Sequence, residues 1–210
     1  MTTHLIFIRH GQSTWNQARR WQGWADPPLA DNGRLQAQLL ATRLMNWNID
    51  YLYSSDLKRA SETAAIVGDK LGIVPTTEAV WRERGFGALE GLTSEEIEEK
   101  YPEVWASRMN GPISGVPGAE EQSQVIARSR AGCESLLERH PGKIVAVISH
   151  GGIILTTLVY LLGLPPSGHG LLTVGGNTSI SRISINGGRA RLTGLNDSAH
   201  LELMAHVQVG

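Results

Sequence analysis

The sequence predicts an α/β protein: a mainly parallel central sheet with helices on both faces, and a small helical and loop insertion forming a lid. Three observations predict it. Short apolar runs, Leu5-Ile6-Phe7-Ile8, Ile49-Asp50-Tyr51-Leu52-Tyr53 and Ile144 to Ile148, read as strands covered on both faces. Between them, apolar residues recur at spacings of three and four, the mark of helices that bury one face. Two of the strand runs end in a histidine followed by glycine, Arg9-His10-Gly11 and Ser149-His150-Gly151-Gly152. In open α/β sheets that end of a strand is where ligands bind.

The elements follow in order. Asp31-Asn32-Gly33 introduces a helix whose face carries Leu35, Leu39, Leu40 and Leu44. Leu57, Ala60, Ala64, Val67 and Leu71 form the face of a second helix, stopped by Gly72. Thr93-x-x-Glu96 is a capping box opening a short helix that ends near Tyr101-Pro102. Asn110 to Gly118, rich in glycine and proline, reads as a loop of the lid. Glu120 to Arg139 is helical, with Val125, Cys133, Leu136 and Leu137 on its buried stripe, and His140-Pro141-Gly142 breaks it. Ile180 to Ile185, Asn186-Gly187-Gly188 and Arg189 to Leu195 make an antiparallel hairpin towards one edge of the sheet. Residues 1–210 are read as a single domain, with about 82–140 supplying the lid and insertion.

Composition narrows the function. With 41% hydrophobic and 19% charged residues the chain is of soluble globular type. A net charge of −1 argues against a general nucleic-acid or membrane-surface binder, so an anion site must be a local cluster of cations. The single cysteine, Cys133, excludes an internal disulfide and any CxxC motif, and its expected place is a buried helix face. The start Met1-Thr2-Thr3-His4 lacks a basic leader, and the apolar stretch Ile153 to Leu164 is shorter than the ~20 residues a spanning helix requires. A cytoplasmic protein without membrane or nucleic-acid partners is expected.

Two imidazoles at neighbouring strand ends suggest one pocket. Arg59 follows the strand at 49–53 and the turn Ser54-Ser55-Asp56, so it enters a helix near the same lip. Arg9, Arg59, His10 and His150 together suit a phosphoryl group, whose oxygens accept forked guanidinium hydrogen bonds. Gly151-Gly152 at a helix start would add backbone donors. Neighbouring arginines should keep His10 neutral near pH 7, and a neutral imidazole aimed at phosphorus is a nucleophile. Protonating the departing oxygen needs an acid. Glu83 is the candidate, although from spacing alone it is one of 20 acidic residues that compete for the role.

The segment Arg9-His10-Gly11-Gln12-Ser13-Thr14-Trp15-Asn16 resembles the signature of the histidine phosphatase, or phosphoglycerate mutase-like, superfamily. The resemblance runs through Gln22-Gly23, Asp26-Pro27-Pro28-Leu29, Gly33 with Gln36-Ala37, and Ser54 to Ala64. It continues through Glu83 to Gly91, Ser149 to Gly152, Asn177 and Leu195 to Leu201, so it covers nearly the whole chain. It implies that His10 is phosphorylated through Nε2 while a backbone carbonyl holds its Nδ1 proton. It also implies that Glu83 is the proton donor and that Arg9, Arg59 and His150 bind the phosphoryl group. Asn16, Gln22 and Gly23 are the implied substrate contacts, and a homodimer is the implied assembly; Arg84, as a nearby cation, and Gly151, through the helix start, are expected to join the contacts.

Within the family the choice is between moving the phosphoryl group within a substrate and giving it to water. Mutases are typically longer, with an insertion closing over a bisphosphate, whereas here no run of extra cations for a second phosphate appears beyond Arg84 and Arg108. A short, open lid admits water. Arg19-Arg20-Trp21-Gln22-Gly23-Trp24 resembles the broad-specificity phosphatase branch. The expected enzyme is therefore a phosphoric monoester hydrolase of the histidine acid phosphatase type. It needs no cofactor or metal and takes a small phosphorylated metabolite or inorganic phosphate. A cofactor-dependent phosphoglycerate mutase is the alternative, and a non-catalytic phosphate-binding module is the reading of another class. No HExxH pair or Cys/His cluster supports a metal hydrolase, and no glycine-rich nucleotide loop is present. One departure from the family pattern is Gly118-Ala119-Glu120-Glu121 in place of Gly-Gly-Glu-Ser. Trp15, Trp21 and Trp24 either wall an organic leaving group or pack under the first loop. His200 either reaches a pocket or lies in a frayed tail.

Overall fold

A computed structural model describes residues 1–107, 113–165 and 170–202. Its elements begin with β1 (Thr3–Arg9), the one-turn α1 (Thr14–Gln17), α2 (Asp31–Leu44), β2 (Tyr51–Ser54), α3 (Lys58–Leu71) and the short β3 (Thr76–Thr77). Then come α4 (Ser94–Lys100), α5 (Pro102–Ser107), α6 (Gln122–Arg139), β4 (Ile144–Ser149), α7 (Gly151–Leu161) and the hairpin of β5 (Ile180–Asn186) and β6 (Arg189–Asp197).

The six strands form one mixed sheet in the order β3-β2-β4-β1-β5-β6. The first four are parallel, while β5 runs antiparallel to β1 and β6 antiparallel to β5. Alternation along the central strands splits their side chains between two cores. Ile6, Ile8, Leu52, Ala146 and Ile148 pack with α2 and α3 on one face. Leu5, Phe7, Tyr53, Val145 and Val147 pack with Trp81, α6 and α7 on the other. Adjacent β1 and β4 lead through helices to opposite sides of the sheet, β1 to β2 and β4 to β5. Such a divergence opens a crevice at the strands' C-terminal ends.

The helices follow their local chemistry. Gly72 ends α3 at φ 70°, a left-handed conformation that costs glycine little. Thr93 and Glu96 form both hydrogen bonds of the capping box at the start of α4. The buried face of α2 differs from the leucine pattern: Gly33, Gln36, Ala37, Leu40, Ala41 and Leu44 are buried, while Leu35 is exposed. Small residues bring this helix close to its neighbours, and a count of leucines does not register them.

The 82–140 segment divides in two. Leu89 and Ile97 form a third small core with Ile113 and Val116, and Trp21, Phe86 and Trp105 pack against it. By contrast, α6 lies on the sheet through Cys133 and Leu136, so it belongs to the helix layer rather than to the lid and insertion. Of the Asn110–Gly118 loop, residues 110–112 lie outside the described residues, as does Arg108. No described helix is long and apolar enough to cross a membrane.

Two glycines allow α2 to press on the loop after β1. A Cβ on Gly33 would lie 2.0 Å from the Gln12 carbonyl oxygen, and one on Gly11 would lie 2.6 Å from that of Gly33. Alanine normally favours a helix over glycine by about 1 kcal/mol. At this contact the sign reverses: Gly33→Ala is expected to lower stability in urea unfolding, and an equal or higher midpoint would contradict the close approach.

Candidate active site

The parallel register of β1 with β4 pairs Arg9 with Ser149, and the His10 N–H donates to the Ser149 carbonyl at 2.9 Å. His10 and His150 therefore leave neighbouring strands side by side. Their ring centroids are 5.1 Å apart, and both residues are buried. His10 Nδ1 lies 2.6 Å from the Gly11 carbonyl oxygen. A carbonyl only accepts, so Nδ1 carries the hydrogen and Nε2 keeps its lone pair. Burial drives the His10 pKa well below the usual histidine value. Arg59 and Arg9 push it the same way, against the opposing Gly11 hydrogen bond. Desolvation thus exceeds the arginine effect expected from the sequence.

Arg59, in the first turn of α3, is fully buried. Its two terminal nitrogens donate to the Ala25 and Gly23 carbonyls at 2.9 and 2.8 Å. Burial lowers its pKa to about 10, while Glu83 and Asp26 oppose the shift. Arg9 donates to the Gly175 carbonyl. Arg9 Nε, Arg59 Nε and both ring nitrogens of His150 are buried without protein partners among the described residues. Buried polar atoms of this kind ordinarily find partners. Together they offer donors of the kind that a polyoxygen anion could satisfy.

Glu83 closes the cluster. Its carboxylate accepts from the Gly152 N–H at 3.1 Å, in the first turn of α7, and from the Arg84 N–H at 2.9 Å. The cleft, of about 280 Å³, is lined by Arg9, His10, Asn16, Gln22, Gly23, Arg59 and Glu83, with Arg20, Trp21 and Phe86 completing its wall. His150 meets the site through its ring contact with His10. Gly151 does not line the cleft; a Cβ there would lie 3.2 Å from the Val174 carbonyl oxygen and in ordinary contact, at 3.8 Å, with Arg9 Nε. Arg84 does not line the cleft. Its guanidinium donates to the carbonyls of Ile113 and Glu120 at 2.6 and 2.9 Å, so its fork is spent on the root of the insertion.

Other residues complete the site. Asn177 donates to the His10 carbonyl at 3.0 Å and to Asn16 Oδ1 at 3.4 Å. Thr63, one turn after Arg59, accepts from the Gly11 N–H at 3.0 Å. Trp21 faces the cleft and packs edge-on against Phe86 at 5.0 Å. Trp15 approaches Gly91, and Trp24 donates its indole N–H to the Glu83 carbonyl at 2.7 Å. His200 is buried on Thr178 Oγ1 at 2.9 Å, neither in the cleft nor frayed. Thr63 and Arg20 fall within the segments that carry the family resemblance, Ser54 to Ala64 and Arg19 to Trp24, but nothing in their residue chemistry singles them out in the sequence.

The buried histidines have a consequence for stability. Unfolding frees them to titrate near pH 6.5, whereas burial holds both His10 and His150 well below that value in the fold. Below about pH 6.5 the unfolded chain therefore binds more protons, and stability present above that pH is lost as pH falls. Each histidine contributes a slope of up to about 1.4 kcal/mol per pH unit. Urea midpoints are expected to fall from pH 7 to pH 5, and less steeply when His10 and His150 are both replaced by glutamine; an unchanged slope would contradict the burial argument.

Comparison with known proteins places this geometry. Residues 5–198 match the model of the histidine phosphatase superfamily, branch 1. A protein of Yersinia enterocolitica named probable phosphoglycerate mutase GpmB is 34% identical over 208 residues, covering 96% of each chain. A solved mycobacterial glucosyl-3-phosphoglycerate phosphatase is 32% identical with a TM-score of 0.86, over 92% of this chain and 98% of that one. A phosphoserine phosphatase variant of Entamoeba histolytica, solved with phosphoserine, is 29% identical with a TM-score of 0.80, over 95% and 99% of the two chains. The protein belongs to branch 1 of the histidine phosphatase superfamily.

Proposed function

We propose that the protein is a metal-independent phosphomonoesterase that acts on small phosphorylated metabolites through a phosphohistidine on His10. The observation that carries this reading is a neutral imidazole, its Nε2 lone pair free, set among Arg9, Arg59 and His150 with unpartnered donor nitrogens. Arg9, Arg59 and His150 hold the phosphoryl oxygens, and Asn16, Gln22 and Gly23 line the same end of the cleft. His10 Nε2 attacks phosphorus, forming the N–P bond as the ester P–O bond breaks. Glu83 gives its proton to the departing oxygen, so an alcohol leaves. A water then loses a proton to Glu83 and attacks phosphorus, breaking the N–P bond. Inorganic phosphate leaves, and both residues return to their starting states.

In this sense it is a phosphoric monoester hydrolase of the histidine acid phosphatase kind, working as a single cytoplasmic domain without a cofactor. The leaving group faces Arg20, Trp21 and Phe86 at the outer wall of the cleft. Its class is a small polar alcohol such as those of phosphoserine, phosphoglycerates, sugar phosphates or α-ribazole phosphate. The solved relatives named as phosphatases support hydrolysis. The name of the Yersinia relative favours a second reading, a phosphoglycerate mutase. Against it, Arg84 is committed to the insertion, and Arg20 is paired with Glu96. Among the described residues, no second cluster of cations faces the cleft for a bisphosphate.

The test is phosphate release from a panel of phosphomonoesters in chelator, with 3-phosphoglycerate interconversion followed in parallel. Release without interconversion is expected, and His10→Ala should abolish it. In a single turnover, Glu83→Gln should slow alcohol release from alkyl esters by about 10² to 10⁴ and nitrophenolate release far less, because nitrophenolate leaves without a proton. Primer-dependent interconversion with little release would establish the mutase instead.

A further inference from the structure

Glu83 lies in irregular backbone between the 3₁₀ turn Ala79–Trp81 and the next one at Gly87–Leu89. No ladder of strand or helix bonds fixes its direction. One guanidinium does much of that work. Arg128, on α6, donates to the carbonyls of Val80 at 2.9 Å, Arg82 at 2.6 Å and Glu83 at 3.0 Å. The same fork makes a bidentate pair with Glu120, at 2.7 and 2.8 Å. The pair is largely buried, with side-chain exposures of 18% and 8%. Glu120 in turn accepts from the Gly85 N–H at 3.3 Å, two residues past Glu83.

We propose that Arg128 is a positioning residue for proton transfer by Glu83, locked in place by Glu120. This rests on the reading of Glu83 as the acid. Three carbonyls and a carboxylate converge on a planar five-donor group, which fixes the backbone on both sides of Glu83 against α6. A lysine offers a point charge without the fork and cannot hold all four acceptors in that plane. A carboxyl displaced by about 1 Å from the departing oxygen loses up to about 10² in rate. The arrangement also ties Glu120 to the backbone on either side of Glu83.

The test compares single-turnover release of serine from phosphoserine with release of nitrophenolate from nitrophenyl phosphate in R128K, so that the later attack of water, common to both esters, does not enter. The expected result is a fall in the serine-release rate of about tenfold to a hundredfold, with the half-saturating phosphoserine concentration and the nitrophenolate-release rate within about twofold. An equal fall on both esters, as a general loss of structure would give, overturns the proposal, and so does no fall on either. If R128K does not fold, E120Q serves, since it leaves the arginine but removes its counter-charge. The same selective loss is expected, and its absence overturns the proposal. E83Q is run beside them. If E83Q shows no difference between the esters, the acid assignment fails and takes this proposal with it. If E83Q discriminates and the Arg128 variants do not, only the positioning role is lost.

Discussion

The contact on which the rest of the structure depends is the parallel pairing of β1 with β4. It sets Arg9 opposite Ser149 and donates the His10 N–H to a carbonyl of the neighbouring strand. A slip of one residue would turn the apolar set of β1 to the wrong faces, since Leu5 and Phe7 serve one core and Ile6 and Ile8 the other. The same slip would separate the imidazoles. Burial of two apolar faces therefore fixes the register, and the register places the chemistry. Side chains far from the cleft hold the site in position by this route.

Burying cations has a cost, and the fold meets it locally. Arg59 is buried, and backbone carbonyls of the 23–25 loop accept from it. Glu83 and Asp26 add favourable charge. The histidines respond by staying neutral, which leaves a nucleophile rather than a further cation. In the proposed reaction a phosphoryl dianion would meet donors already oriented, the condition under which hydrogen bonds to a developing charge count most.

Much of this was legible in the sequence. The strand runs at 5–8 and 144–148 are short, apolar and end in His-Gly, so the central strands and their histidines could be read directly. Leu57, Ala60, Ala64 and Val67 announced α3 and carried Arg59 to the lip. Thr93 and Glu96 announced α4 in the same way. The face of α2 was harder to read, because contact there depends on Gly33, Ala37 and Ala41, residues that period counting by large side chains overlooks. Arg84 misleads for a different reason. Proximity to Glu83 in sequence suggests the cleft, but irregular backbone turns its guanidinium to carbonyls 29 and 36 residues away. Arg128 is 45 residues from Glu83, and only the packing of α6 on the sheet brings them together. Trp24 likewise reaches the Glu83 carbonyl across 59 residues.

The central claim is that turnover passes through a covalent bond from phosphorus to His10 Nε2. Rapid acid-free quenching during hydrolysis of a radiolabelled phosphomonoester tests it most directly, followed by peptide mapping under alkaline conditions. The account predicts an alkali-stable, acid-labile label that appears and decays within a single turnover and maps to His10, with none on His150. Label on another residue, or direct transfer to water with no labelled protein at any quench time, would contradict it.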